Sequence, residues 1–197
     1  MVLNQTLAAV NTGVYGGHGM ADQLSARDWL DEGLRTLAAR GFSALKAEPL
    51  AKEMGVSRGS FYWHFADIGT FHAAILAHWR DIAAEQIIAD LESAGSSEDP
   101  LAMLLTRILS GRLALERAVR SWATSDAAAR AAVQAIDRRR LDYVETMLKR
   151  SGLEPEVAQA RAQILYWTFL GVTFSDKPPE SDMRQAVLDE LMRLALG

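Results

Sequence analysis

Apolar residues recur at three- and four-residue intervals along this chain, and the pattern predicts an all-α protein. Ser25 followed by Asp28 has the spacing of a capping pair; Trp29, Leu30, Gly33, Leu34, Leu37 and Ala38 then trace one helical face as far as Gly41. Phe42 and Leu45 pin the connection that follows. Pro49 opens a short second helix, with Leu50, Ala51 and Met54 at helical spacing. Gly55 supplies a turn, Val56 plugs inward, and Ser57 is placed to cap a third helix. Ile68, Phe71, Ile75, Trp79 and Ile82 set out a long amphipathic helix to about Leu91. After S-A-G-S-S-E-D-P, read as a linker from Ser93 to Pro100, helical patterns resume over Leu101 to Leu109, ahead of an interruption at Gly111. They continue over Leu113 to Ala123, Asp126 to Arg150, Glu154 to a break at Pro178 and Pro179, and Ser181 to Leu196.

The stretch Glu48 to Phe65 reads as helix-turn-helix, and its second helix has two unlike sides. Stepping about 100° per residue from Arg58 puts Phe61 and Phe65 together, facing Leu50 and Met54. Gly59, Ser60, Trp63 and His64 share the opposite side, with Arg58 at the N-terminal end and Tyr62 at the border. Donors and aromatic edges on that side suit a DNA major groove, which such a helix reads through its N-terminal residues.

The run G-V-S-R-G-S-F-Y-W-H-F closely resembles the DNA-reading segment of TetR-type transcriptional regulators, and the layout that follows resembles that family along nearly the whole chain. The resemblance implies that Arg58, Ser60 and His64 meet bases or nearby phosphates, with Tyr62 and Trp63 holding the backbone and Lys46, Ser57 and Gly59 completing the DNA-facing set. It departs from the family in two places. Ala66, Asp67, Ile68 and Gly69 stand where many members carry a basic residue, and Ala47 and Glu48 stand where many carry Thr-Arg. Phosphate grip is then expected from Lys46, Lys52 and Arg58.

Composition narrows this picture. At 197 residues and 49% hydrophobic content the chain can bury a sizeable core, and a formal charge of −4 makes any DNA binding a property of a local surface. There is no cysteine, hence no disulfide framework and no thiolate metal site. No apolar run reaches the roughly 18–20 residues of a spanning helix, and a soluble cytoplasmic protein is the simplest expectation. His64, His72 and His78, eight and six residues apart, form no i,i+4 metal pair. No G-x-S-x-G elbow, phosphate loop, H-E-x-x-H pair or cysteine nucleophile is read, and a helical body offers no sheet edge for a cofactor, so neither catalysis, a metal nor a cofactor is expected.

Residues 1–24 are read as a mobile arm or as an extension ahead of the start, with Met20 just before the patterned region. Residues 25–66 form the DNA-binding head, and 67–197 a helical body for effector binding and dimerisation. The last two predicted helices carry more apolar surface than one small body requires. A homodimer built on them, through Ile164, Phe169, Val187 and Leu191, would read a palindromic operator with two heads, as the family does. The resemblance also implies a small-molecule pocket whose occupancy releases a repressor from DNA; Met103, Leu104, Trp122, Tyr143, Tyr166 and Trp167 are candidate lining, and the lack of charge among them points to an apolar or aromatic effector. The D-R-R-R-L-D-Y run, with Arg138, Arg139 and Arg140 flanked by Asp137 and Asp142, reads as a solvated or salt-bridged face. The competing reading is a dimeric ligand-binding or scaffold protein without operator binding.

Overall fold

Ser25 and Asp28 close a reciprocal cap at the head of the first helix, α1 (Ala26–Arg40): the Asp28 amide donates to Ser25 Oγ at 3.3 Å, and the Ser25 amide to Asp28 Oδ2 at 2.7 Å. The computed structural model describes residues 24–93, 99–110, 113–176 and 180–197, and no strand occurs among them. Residues 1–23 of the arm, part of the Ser93 to Pro100 linker, the interruption at Gly111 and the Pro178–Pro179 break fall outside the described residues. Gly41, at φ +78°, ends α1 where an L side chain would be strained.

A turn of 3-10 helix, Phe42–Ala44, leads to α2 (Ala47–Glu53), Gly55 at φ +70°, and α3 (Arg58–His64). Helix α2 begins two residues before the expected start at Pro49. A proline in the first turn removes an N–H that has no intrahelical acceptor there, so the helix extends ahead of it. Phe61 is fully buried at the centre of the head, edge-on to Trp29 at 5.3 Å and to Phe71 at 5.2 Å. Burying each such ring contributes on the order of 1.5–3 kcal/mol, which fixes the back of α3 and leaves its outer side to solvent.

The long connection is helical from Ile68 to Ser93 but not uniform. Helix α4 (Ile68–Arg80) passes into a π turn (Asp81–Glu85) and then α5 (Gln86–Ser93). Periodicity alone predicted one regular helix here. The body adds α6 (Pro100–Leu109), α7 (Ala114–Ala123), α8 (Ala127–Arg150), α9 (Pro155–Phe174) and α10 (Ser181–Leu196). Asp99 and Asp126 cap α6 and α8 through their carboxylates, and Gly152, at φ +93°, follows the end of α8.

One apolar cluster unites the head with the near part of the body. It runs from Trp29, Leu50 and Phe61 through Phe71 and Trp79 to Val119, Trp122, Val133 and Ile136. A second joins α6, the end of α8, α9 and α10 through Leu105, Leu148, Ala162, Leu165 and Leu191. Along α8, Asp137 and Arg140 lie between the residues of the two clusters, and they belong to a buried ionic layer. No helix among the described residues is long and apolar enough to cross a membrane.

Candidate DNA interface

Helix α3 is short, and its two sides differ as its sequence predicts. Phe61 and Phe65 are 0% and 5% exposed, whereas Trp63 is 89% exposed. Ser57, Arg58, Gly59, Tyr62 and His64 are open to solvent, and Ser60 is half-buried. Arg58 Nη2 donates to Tyr62 Oη at 3.1 Å, and its guanidinium carbon lies 5.5 Å from the Tyr62 ring centroid. The Tyr62 hydroxyl holds the guanidinium above its ordinary range. The pair spans one helical turn, so Arg58 is laid along the outer side of α3.

Two expectations at the start of this helix change. Ser57 occupies the N-cap position with extended backbone, but its hydroxyl makes no capping hydrogen bond. The turn is held instead by main chain, with the Val56 amide donating to the Ala51 carbonyl at 3.0 Å and the Gly55 amide to Lys52 at 3.2 Å. Gly55 to Gly59 also spells G-x-S-x-G, the letters of a nucleophile elbow. That elbow is a strand-to-helix turn at a sheet edge. Here the run joins two helices, no strand occurs among the described residues, and Ser57 has no histidine partner.

A side chain at Gly59 would meet only Ser57 Oγ, at 3.5 Å. Nothing within the chain therefore requires glycine there. Lys46, at the N-cap of α2, is exposed. Among the described residues Lys46, Lys52 and Arg58 form no salt bridge, while Arg27, Arg35 and Arg40 pair with Asp31, Glu32 and Glu53. Asp67, standing where a basic residue would grip phosphate, accepts the Thr70 amide at 2.7 Å and caps α4. Those Thr70 bonds hold its carboxyl below the ordinary carboxylate range.

The proposed effector residues do not converge. Trp122 is buried and stacks on Phe42 with ring centroids 4.4 Å apart, and it lines a cleft of about 720 Å³ between α1 and α7. None of the other five lines that cleft or the second one, of about 420 Å³, beside the π turn. Met103, Leu104 and Tyr143 are half-buried, and Trp167 is 62% exposed on the outer side of α9. Tyr166 accepts a hydrogen bond from Arg120 Nη2 at 2.9 Å, and burial, aided by Asp137, pushes its hydroxyl up.

The apolar or aromatic effector rests on a candidate lining without charge, and the body around Tyr166 does bury charge. Glu116, only 7% exposed in its side chain, takes Arg120 Nε at 2.8 Å and Arg140 Nη1 and Nη2 at 2.9 Å each. Asp137 takes Arg120 Nη2 at 2.6 Å. Burial opposes the charge of Arg120, but Asp137 and Glu116 outweigh it and hold the guanidinium above its ordinary range. The expected salt bridging of the arginine run is present, yet Arg140 turns inward; only Arg139 meets an exposed acid, Glu85. The i,i+4 spacing of Glu116 and Arg120 was visible in the sequence; their partners on α8 were not.

The expected dimer residues also separate. Ile164 is 50% exposed and Val187 half-buried, but Phe169 and Leu191 are each only 7% exposed. Those two are already covered within their own chain, Phe169 beneath the guanidinium groups of Arg120 and Arg140. The open apolar side of α9 is instead Val157, Ile164, Trp167 and Phe174, and Met183 and Leu194 of α10 are exposed as well. Among the described residues no group of three acids or histidines is placed to hold a metal ion.

A buried-back, open-front α3 carried by a helix-turn-helix on an all-helical body defines a DNA-binding protein of the helix-turn-helix class. Residues 30–75 match the family model described as bacterial regulatory proteins, tetR family. Over this N-terminal segment the chain is similar to the TetR family of transcriptional regulators. No curated protein matches the sequence. Among solved structures, E. coli NemR in its reduced form superimposes with TM-score 0.70 at 20% identity, over 86% of this chain and 96% of that one. A transcriptional regulator from Saccharomonospora viridis in complex with choline gives 0.65 at 17%, over 85% and 95%. Bacillus subtilis FadR in complex with stearoyl-CoA gives 0.62 at 15%, over 88% and 98%. At these identities the likeness is one of fold.

Proposed function

We propose that this regulator is a cytoplasmic repressor that binds an inverted-repeat operator as a homodimer and leaves it when a small molecule occupies the body. The observation that carries the reading is the outer side of α3. Arg58, Ser60, Tyr62, Trp63 and His64 face away from a helix whose back is locked by Phe61 and Phe65. Gly59, with room for a side chain in the chain alone, lets the helix approach a duplex closely. Ser57 Oγ, making no cap bond, serves as a phosphate donor beside Lys46.

One such helix reads few base pairs, so a second copy is needed. The apolar side of α9 formed by Val157, Ile164, Trp167 and Phe174 is the surface it would cover. Two proteins of this fold hold choline and stearoyl-CoA, chemistries with little in common. That breadth supports ligand release without choosing a ligand, and the ionic layer of this body argues for an effector with polar groups. No catalysis is assigned.

Selection of bound duplexes from a random pool by the purified protein tests the reading, and an inverted repeat is expected. Arg58→Ala should relax preference at particular positions by about 1–3 kcal/mol. Retention that vanishes under competitor DNA, or its absence even at low salt, would favour a dimeric ligand-binding protein without operator.

A further inference from the structure

The turn that departs from regular helix lies where head meets body. Gln86 donates its amide back five residues to the Asp81 carbonyl, so the π turn carries one residue more than an α-helical path would. Such turns are rare and concentrate at functional positions. The carbonyl of Ala83, inside this turn, accepts Arg140 Nη2 at 3.0 Å and Nε at 3.3 Å. The same guanidinium forks onto Glu116 and lies 4.9 Å from the Phe169 ring centroid. One side chain of α8 thus ties the π turn to α7 and α9 at once.

Buried ionic groups replaced together by well-packed apolar ones usually leave a domain as stable or more so, whereas an ionic fork admits one geometry. That geometry has leverage. Helix α4 places Phe71 and Ile75 in the core of the head, so a change in its angle shifts the head against Trp122 of α7, on which Phe42 stacks. About fifteen residues at 1.5 Å each separate Ala83 from the start of α4, roughly 22 Å. A tilt of about 10° at the π turn would therefore carry the far end through roughly 4 Å, against a rise of about 3.4 Å per base pair.

We propose that Arg140, remote from α3, is a positioning residue for operator choice: by holding the Ala83 carbonyl it fixes the angle of α4 and with it the half-site spacing that the dimer accepts. This rests on the dimeric operator reading above. The test is selection by the full chain from libraries of the inverted repeat whose central spacer is varied one base pair at a time. Wild type should prefer one spacer by about tenfold or more over its neighbours, a step of roughly 1.4 kcal/mol. Arg140→Leu and Arg140→Lys should keep the half-site bases while spacer preference flattens to about threefold or less. Lysine keeps the charge against Glu116 but cannot fork, so Arg140→Lys serves if the leucine variant fails to fold. Hydrogen exchange of the π-turn amides should quicken in the same variant. A folded variant that retains the wild-type spacer preference overturns the role of Arg140 alone. A wild-type chain that selects no inverted repeat overturns the operator reading, and this one with it.

Discussion

Gly33 offers a direct test of how the head is assembled. It lies in the middle of α1 and is buried; in an isolated helix, alanine there would be favoured by about 1 kcal/mol. In the fold, a Cβ would lie 2.4 Å from Ile75 Cδ1 and 2.8 Å from Phe71 Cζ, where carbon atoms in contact sit at roughly 3.5–4.0 Å. Neither neighbour can yield easily. Phe71 is fully buried and wedged between Phe61 at 5.2 Å and Phe65 at 4.9 Å, and Ile75 is 0% exposed. Overpacking of this kind costs about 1–3 kcal/mol, and with two fixed neighbours the upper half of that range applies.

The net effect of Gly33→Ala is then a loss of about 1–2 kcal/mol, with the melting temperature falling by roughly 2–8 °C for a chain of this size. Ile75→Val deletes the closer of the two contacting atoms. On its own it should cost about 0.5–1.5 kcal/mol, but in the Gly33→Ala background it should cost less or stabilise, a coupling of about 0.5 kcal/mol or more. Urea titration of the four proteins measures the cycle. A Gly33→Ala protein as stable as wild type, with no coupling to Ile75, would refute the close approach of α1 and α4.

Three further outcomes follow from the same geometry. Glu116→Ala leaves the guanidinium groups of Arg120 and Arg140 short of a buried partner and should lower stability by about 3–5 kcal/mol; a loss under about 1 kcal/mol by urea unfolding would mean that water fills the layer. Trp167→Glu should convert a dimer to a monomer in sedimentation while leaving helicity unchanged, whereas Phe169→Ser, beneath two guanidinium groups, should unfold the body. The Asp28 and Asp67 carboxyls are held below their ordinary value by the Ser25 and Thr70 bonds, so their contribution is present above an unfolded value of about 3.9 and is lost as pH falls through the lower folded values. The melting temperature should therefore be insensitive to these groups near neutral pH and drop in acid below about pH 4, with a shallower drop in Asp67→Ala.

What the sequence determined by itself is local. Caps at Ser25, Asp99 and Asp126 set the starts of α1, α6 and α8, the turns at Gly41, Gly55 and Gly152 close α1, α2 and α8, and three- and four-residue apolar spacing marks the helices between. Each of these signals acts within a turn or two of chain. The two sides of α3 are legible for the same reason, since the position of a residue around a helix follows from its spacing alone. Tertiary structure decided what spacing cannot encode. Arg140 and Ala83 are 57 residues apart, and Arg120 and Tyr166 are 46 apart. Whether an arginine in a charged run faces water or a buried glutamate depends on which helix lies across from it. The same holds for α9, where Phe169 and Trp167 look alike in sequence, yet packing covers the first and leaves the second open. The π turn also belongs to this class, because local periodicity favours regular helix and the guanidinium that holds the turn comes from a distant part of the chain.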